Sequence, residues 1–222
     1  MKTTAILPIF NEEKTVAQVL AVLIASPWLD EIIVIDDASE DNSLKIVKQF
    51  SSEKLKVIHL DKNLGKSGAV KYAVDQTKTD VLFFCDGDLH GFKQEHINQL
   101  LKRLEAKEEV MAVGIMDRGF FHNTLVKKFG PLITGERAIS YKVFQEILRN
   151  NFLNELMQGY KMEIVMNEYC VKNKIYIQKE ILKGVEQTMK PYKNKNGFWL
   201  LAKETMELAD AFFRIKFHRF GK

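Results

Sequence analysis

The sequence has few of the residues that stabilise disulfide-rich or zinc-binding proteins. Its 222 residues include two cysteines, Cys85 and Cys170, and neither belongs to a CxxC pair or to a cluster of cysteine and histidine. We therefore expect no structural zinc site and no disulfide framework, but two buried thiols in a reducing compartment.

Long apolar runs are also missing. No stretch reaches the roughly 18 apolar residues that a membrane-spanning helix needs, and no charged segment followed by a long apolar run precedes the first strand-like segment. We therefore expect neither a bilayer-spanning helix nor a secretory signal, and we expect a cytoplasmic location. The motifs GxxxxGK[ST] and GxGxxG are absent, which excludes a Walker P-loop and a dinucleotide-binding fingerprint.

The charges are unevenly distributed. The net charge is −4 over residues 1–110, +1 over 111–170 and +7 over 171–222. A basic tail on a slightly acidic body indicates an anionic partner, although solvated charge without a partner explains it as well. No nucleic-acid-binding motif or aromatic platform accompanies the basic residues, so we expect no nucleic-acid partner.

The first half of the chain alternates short apolar runs with helical patterns. The predicted strands are Thr4–Ile9, Glu31–Ile35, Lys56–Leu60, Val81–Cys85 and Val110–Ile115. The predicted helices between them are Lys14–Ala25, Ser43–Phe50, Ser67–Thr77 and Gln94–Lys107. Continuous apolar strands that alternate with helices predict an α/β fold, with a mostly parallel central sheet and helices on both faces.

The second half loses this regular alternation. Residues 116–135 are loop-like, and they are followed by helical patterns at Ser140–Arg149 and Met162–Lys172, a strand pattern at Lys174–Gln178 and a basic, turn-rich segment over 183–197. We predict one domain over residues 1–197, with halves 1–115 and 116–197, and a basic amphipathic helix over 198–222. That helix is suited to packing on the core, to lying on an anionic membrane surface at the inner face of the membrane, or to dimerisation.

Polar side chains follow the predicted strands at the edge where ligands bind in open parallel sheets. Asp86 and Asp88 come directly after a strand that is headed for the core. Two neighbouring carboxylates repel each other unless a cation or hydrogen-bond donors lie between them, and Mg²⁺ or Mn²⁺ prefers such oxygen ligands. His90 lies two residues further on and is a third candidate ligand. The alternative is that these acids only form turns and helix caps.

Two other strand ends carry candidate nucleotide contacts. Asp36 and Asp37 end the second strand, where a carboxylate accepts hydrogen bonds from a ribose or a base. The loop Asn63–Gly68 offers two glycines and Lys66 before a helix, which suits phosphate, although an ordinary helix start explains the loop equally well.

Four segments in this order resemble family 2 glycosyltransferases of the GT-A fold: LPIFNEEKTV, VIDDASEDNS, LDKNLGKSGAV and FFCDGDLHG. The closest likeness is to dolichyl- or polyprenyl-phosphate sugar transferases and to enzymes similar to glucosyl-phosphoglycerate synthase. The resemblance covers residues 3–115 closely and 116–190 loosely. It implies a transferase that uses a nucleotide-diphosphate sugar, UDP- or GDP-linked, together with Mg²⁺ or Mn²⁺ and a lipid-phosphate or other phosphorylated acceptor.

The resemblance also implies roles for individual residues. Those expected to hold the nucleotide sugar are Pro8, Phe10, Glu12, Asp36, Asp37, Lys66, Asp86, Arg118, Lys190 and Lys193. The metal would be held by Asp86, Asp88 and His90, and Arg137 in the run ITGERA would contact the acceptor. Asp88 and Glu163 are the candidates for a catalytic base, although a helix acid such as Glu163 is also compatible with simple solvation.

Two other functions are compatible with such a fold. A sugar-phosphate nucleotidylyltransferase needs a Gly-rich, Arg-containing loop after the first strand, which PIFNEE does not supply. A nucleotide-sugar-binding protein or membrane adaptor without turnover would keep the same motifs. Transfer or hydrolysis of the donor separates these alternatives.

Overall fold

The computed structural model describes residues 1–104, 110–117, 134–157, 162–187 and Arg214. The strands are β1 (Thr3–Ile9), β2 (Glu31–Asp36), β3 (Leu55–His59), β4 (Val81–Phe84), β5 (Leu89–His90), β6 (Val110–Met116), β7 (Arg137–Ser140), β8 (Tyr176–Leu182) and β9 (Glu186–Gln187). The helices are α1 (Val16–Ala25), α2 (Ser43–Val47), α3 (Gly65–Val74), α4 (Gln94–Leu101), α5 (Tyr141–Arg149), α6 (Asn151–Leu156) and α7 (Met162–Lys172).

Seven strands form one sheet in the order β3-β2-β1-β4-β7-β6-β8. All neighbouring pairs are parallel except those that involve β7, which runs antiparallel to β4 and to β6. A separate antiparallel ribbon joins β5 to β9. The predicted mostly parallel α/β sheet is confirmed.

The sheet carries a hydrophobic core on each face, as the alternation of side chains along β1 shows. Ile6 faces the core that α3, α5, α6 and α7 cover, whereas Ala5 and Leu7 face the core beneath α1 and α4. Burial of the strands on both faces explains why they appear in the sequence as continuous apolar runs. The predicted placement of helices on both faces is therefore confirmed.

The second half differs from the prediction in three elements. β7 lies between the predicted loop over 116–135 and the predicted helix from Ser140, where the sequence predicted no element apart from the helix start at Ser140; a strand of four residues that begins with an arginine carries little signal. The strand predicted at Lys174–Gln178 begins two residues later and continues to Leu182. The ribbon strand β9 lies within the segment expected to consist of turns. In contrast, the helix at Met162–Lys172 has the predicted bounds.

Two expectations concern the rest of the chain. The predicted helix over 198–222 lies outside the described residues apart from Arg214. None of the helices that the structure describes combines the length and the hydrophobicity that a bilayer crossing requires.

Candidate active site

The carboxyl ends of the parallel strands and the amino end of β7 meet at one edge of the sheet. Asp86 follows β4, and Asp88 precedes β5 within the same short turn. β7 runs in the opposite direction, so its first residues reach the same edge from the second half of the chain. The fold thus brings Asp86, Lys66 and Glu163 together from three distant parts of the sequence.

Lys66 connects two carboxylates at this edge. Helix α3 begins at Gly65, whose φ of 74° suits glycine, and Lys66 follows in the first turn. The Lys66 Nζ atom lies 2.7 Å from Asp86 Oδ1 and 2.8 Å from Glu163 Oε1. Burial opposes the charge on Lys66, but the two carboxylates outweigh it and hold the pKa of Lys66 well above its usual value. The lysine therefore supplies a permanent positive charge.

Gln187 was not among the residues predicted from the sequence, yet its side chain joins the two aspartates. Its Nε2 atom donates hydrogen bonds to Asp86 Oδ2, at 3.1 Å, and to Asp88 Oδ1, at 2.7 Å. Both carboxylates therefore face one common point. A glutamine in a basic, turn-rich segment carries no signal of this role, because the pairing of β9 with β5 creates it.

Asp86 and Asp88 form a donor set that fits a hard divalent cation. Their carboxylate oxygens converge, and the backbone of Gly135 makes room for Asp86, since a Cβ atom on Gly135 would lie 2.5 Å from Asp86 Cγ. Carboxylate oxygens are ligands that Mg²⁺ and Mn²⁺ prefer. Within the described ranges, no three His, Cys, Asp or Glu side chains are grouped as a metal site. The predicted third ligand, His90, has an exposed side chain on β5 and does not complete such a group.

Glu136 is a second residue that the sequence did not single out. It is fully buried, and neither of its carboxyl oxygens has a hydrogen-bond partner among the described residues. Burial first, and then the charge of Asp86, raises the pKa of Glu136 to about 8. Glu136 is therefore largely a neutral acid at pH 7, and it adds little negative charge to the aspartate pair.

Arg137 does not lie where the acceptor contact was predicted. It is fully buried on β7, where its Nε atom donates to Thr134 O at 2.7 Å. Its Nη1 atom donates to Asn167 Oδ1, at 2.7 Å, and to Glu163 O, at 3.3 Å. The physical reason is that the strand points this side chain at α7. Arg137 thus fixes the first turn of α7, which carries Glu163, instead of presenting its guanidinium to an acceptor.

The two aspartates at the end of β2 differ in their surroundings. Asp36 is fully buried, and its Oδ2 atom lies 2.7 Å from His59 Nδ1, so it has no exposed oxygen to offer a nucleoside. Asp37 accepts a hydrogen bond from the Leu64 backbone N–H at 2.6 Å and orders the loop before α3. Burial raises the pKa of Asp37, although the backbone N–H groups of Leu64 and Gly65 favour its charged form. Asp37 is buried as well, at 3% exposed, and its role as a nucleoside contact stays a prediction.

The contacts predicted near the end of β1 lie at the same edge. Phe10 is 44% exposed, and the aliphatic part of Glu12 packs on Gly87, between the two aspartates. Pro8 lies within β1, opposite Ile35 of β2, and is partly buried. The predicted contacts of Arg118, Lys190 and Lys193 lie outside the described residues.

The turns after β1 and β2 each contain a non-glycine residue with positive φ, and they are joined by hydrogen bonds. Asn11 and Ala38 have positive φ values of 57° and 60°. The Asn11 backbone N–H donates to Ser39 Oγ at 3.0 Å, and the Asn11 Oδ1 atom accepts from the Glu40 N–H at 2.8 Å. Asparagine adopts this conformation readily, whereas for alanine it costs about 1–2 kcal/mol, and such strain is found at ligand-binding edges.

A comparison with protein families matches residues 4–169 to the model described as glycosyl transferase family 2. A protein of Methanocaldococcus jannaschii without an assigned function is 28% identical over 96% of this chain and 98% of its own length. An undecaprenyl-phosphate 4-deoxy-4-formamido-L-arabinose transferase of Proteus mirabilis is 26% identical over 72% of this chain. The alignment spans 52%, about half, of that transferase's length.

Solved structures show the same fold. Glucosyl-3-phosphoglycerate synthase of Mycobacterium tuberculosis, solved with Mn²⁺, UDP-glucose and phosphoglyceric acid, superposes with a TM-score of 0.75. The sequences are 18% identical, and the superposition covers 99% of this chain and 81% of that one. The predicted GT-A fold is thereby confirmed.

Proposed function

Because the chain belongs to glycosyl transferase family 2, we propose that this glycosyltransferase moves a sugar from a nucleoside diphosphate to an acceptor that carries a phosphate group. One observation carries the proposal. Asp86 and Asp88 converge on a single point, and the permanent charge of Lys66 lies directly against Asp86. This arrangement suits a divalent cation that binds a diphosphate.

The leaving group determines what the site has to do. When the bond between sugar and phosphate breaks, negative charge develops on the departing diphosphate. Mg²⁺ or Mn²⁺ held by Asp86 and Asp88 would neutralise part of this charge. Lys66 lies beside the pair and adds a fixed positive charge, which lowers the barrier because it needs no reorganisation during the reaction.

The acceptor decides whether a base is required. A phosphate oxygen is already anionic and attacks the anomeric carbon without help, whereas a hydroxyl group needs a base. Of the two predicted bases, Glu163 is the more enclosed. Its Oε1 atom contacts Lys66, its Oε2 atom is buried without a partner among the described residues, and Arg137 fixes its backbone. Glu163 is therefore a fixed partner of Lys66, and the phosphate acceptor that we propose needs no base from it.

A polyprenyl phosphate is the acceptor that we propose. The relative from Proteus mirabilis is named as an undecaprenyl-phosphate transferase, and the net charge of +7 over residues 171–222 suits an anionic lipid surface. In this proposal the enzyme meets its acceptor at a membrane surface through the predicted C-terminal helix.

Two measurements test the donor and the acceptor separately. Thermal unfolding with UDP-, GDP- and ADP-sugars, each with and without Mn²⁺, should show one base whose stabilisation requires the cation, because a ligand stabilises only the state that binds it. Sugar transfer to polyprenyl phosphate in liposomes is then compared with transfer to phosphoglycerate. Donor binding without transfer to any phosphorylated acceptor would leave a binding protein and overturn the proposal.

The aspartate pair has a matched control. Asp88→Asn should abolish the Mn²⁺-dependent stabilisation by the donor, whereas Asp75→Asn, at the exposed end of α3, should leave it unchanged. Unchanged binding in Asp88→Asn would refute the placement of the cation.

A further inference from the structure

The Gln187 side chain contacts both Asp86 and Asp88, and it belongs to none of the sequence motifs described above. Its amide nitrogen lies within hydrogen-bond distance of both Asp86 and Asp88. A divalent cation that both carboxylates bind has to share this point or replace the N–H donors there. Binding of a cation by both carboxylates therefore requires the Gln187 amide to turn or to move.

The ribbon that carries Gln187 is held firmly against the rest of the molecule. Gln187 pairs with Leu89 and Glu186 pairs with His90, so β9 is joined to the strand that follows Asp88. At the other end of the ribbon, the Cα atom of Gly91 lies so close to Gly184 O that no side chain fits between them. The register of β9 on β5 thus fixes where the Gln187 side chain meets the two aspartates.

His96 fixes the turn before β9 in the same way. Its Nδ1 atom accepts a hydrogen bond from the Lys93 backbone N–H at 3.1 Å, so its Nε2 atom is the one that donates to Lys183 O, also at 3.1 Å. The ring is buried, and its Nε2–H bond joins α4 to the chain that leads into β9. Two independent attachments, Gly91 and His96, therefore position Gln187 over the aspartate pair.

We propose that Gln187 is a positioning residue that adjusts to the divalent cation at Asp86 and Asp88. An amide carries a donor and an acceptor on one carbon atom, so rotation about the last side-chain bond exchanges Nε2 for Oε1. The N–H group bridges the two carboxylates, and the oxygen is a ligand of the kind that Mg²⁺ and Mn²⁺ accept. Gln187 thereby ties β9 to the binding of the cation. This inference rests on the proposed cation site.

The chemistry of the side chain explains why a neutral amide suits this position. A glutamate would place a third negative charge beside two carboxylates, and a lysine would compete with the cation for the same point. A leucine of similar size would offer neither the donor nor the acceptor. Glutamine alone among these residues serves the aspartate pair both with and without a cation.

The proposal is tested by titrating Mn²⁺ into the full chain in the presence of the preferred nucleoside diphosphate. Binding is followed by calorimetry and by the electron paramagnetic resonance signal of free Mn²⁺. Gln187→Leu should weaken Mn²⁺ binding about tenfold or more, because it removes the bridge between the two carboxylates as well as an oxygen that can face the cation, and loss of a supporting contact alone changes metal affinity by roughly 10–100-fold. Gln187→Glu should strengthen Mn²⁺ binding and lower the melting temperature in the absence of Mn²⁺, since it adds a carboxylate. Neither readout depends on turnover.

Gln178 provides the matched control. Its Nε2 atom donates to Glu180 Oε1 at 3.0 Å, which is an amide–carboxylate contact of the same kind on the outer strand β8. Gln178→Leu and Gln178→Glu should leave Mn²⁺ binding unchanged. If Gln187→Leu and Gln187→Glu both bind Mn²⁺ as the wild type does, the inference is wrong although the cation site stands. If the wild type binds no Mn²⁺, the proposed cation site fails first.

Discussion

The ammonium group of Lys66 and the carboxylate of Glu163 lie 2.8 Å apart although 97 residues separate them in the sequence. Lys66 comes from the half of the chain with the nucleotide motifs, and Glu163 lies in the first turn of helix α7 in the other half. Both side chains are largely buried, so this ion pair contributes to the order of the site as well as to its charge.

Removal of the Lys66 charge should destabilise the fold. Lys66→Met leaves the carboxylates of Asp86 and Glu163 without the ammonium group that they share, and loss of one partner from a buried ion pair costs about 3–5 kcal/mol. The free energy of unfolding, measured in urea, should fall by that amount. Lys62→Met, in the exposed loop before α3, is the control and should change it little. Glu163→Gln in the Lys66→Met background should recover part of the loss, and strictly additive effects would contradict the pairing.

Replacement of Arg137 by lysine should lower the stability of the fold. Arg137→Lys keeps the positive charge but cannot reproduce the bonds to Thr134, Asn167 and Glu163 in one plane. Buried acceptors without partners cost about 1–3 kcal/mol each, so we expect a comparable loss of stability. Thermal unfolding beside the exposed control Arg149→Lys measures it. A stable Arg137→Lys protein that has lost only acceptor binding would instead restore the role predicted from the sequence.

Glu136 should make stability depend on pH. The folded chain keeps its proton up to about pH 8, whereas the unfolded chain releases it near 4.5. The stability that this proton provides is fully present below the unfolded pKa and is lost as the pH rises through the folded pKa. Glu136→Gln stays neutral, so its advantage over the wild type should grow between these values. Urea unfolding at several pH values checks this, with Glu53→Gln as the exposed control. A constant difference across the range would show that Glu136 is already ionised in the fold.

Ala38→Gly should stabilise the molecule. Glycine adopts the positive φ of 60° without the steric cost that alanine has, and the gain exceeds the extra entropy of the unfolded chain by about 0.5–1 kcal/mol. Lys174→Gly, in the turn between α7 and β8 with φ of 59°, should gain a similar amount away from the site. Calorimetric melting temperatures compare the two variants. A loss of stability in Ala38→Gly alone would mean that the Ala38 methyl group makes contacts worth more than the strain.

The sequence predicts the elements whose signal is local. Apolar runs predict β1, β2, β4 and β6, and helical periodicity predicts the helices between them. In each case the apolar residues that become buried are visible within the segment itself. Period-two alternation does not separate Asp36 from Asp37, because both faces of β2 are buried and both acids are enclosed.

The elements that the sequence does not reveal depend on contacts between distant segments. β7 is a strand because it fits between β4 and β6, and β9 is a strand because β5 is its neighbour. Gln187 and Glu136 acquire their surroundings through these pairings. Their roles can therefore be recognised only when the three-dimensional arrangement is known.

The position of β6 has a consequence for attempts to divide this enzyme. β6 ends the segment with the nucleotide motifs, yet both of its neighbours, β7 and β8, come from the later segment. A fragment that stops after residue 116 would expose both edges of a fully buried apolar strand to solvent. The two halves therefore differ in the ligands that they are expected to bind, but neither half folds without the other. We expect such a fragment to aggregate until the missing half is supplied.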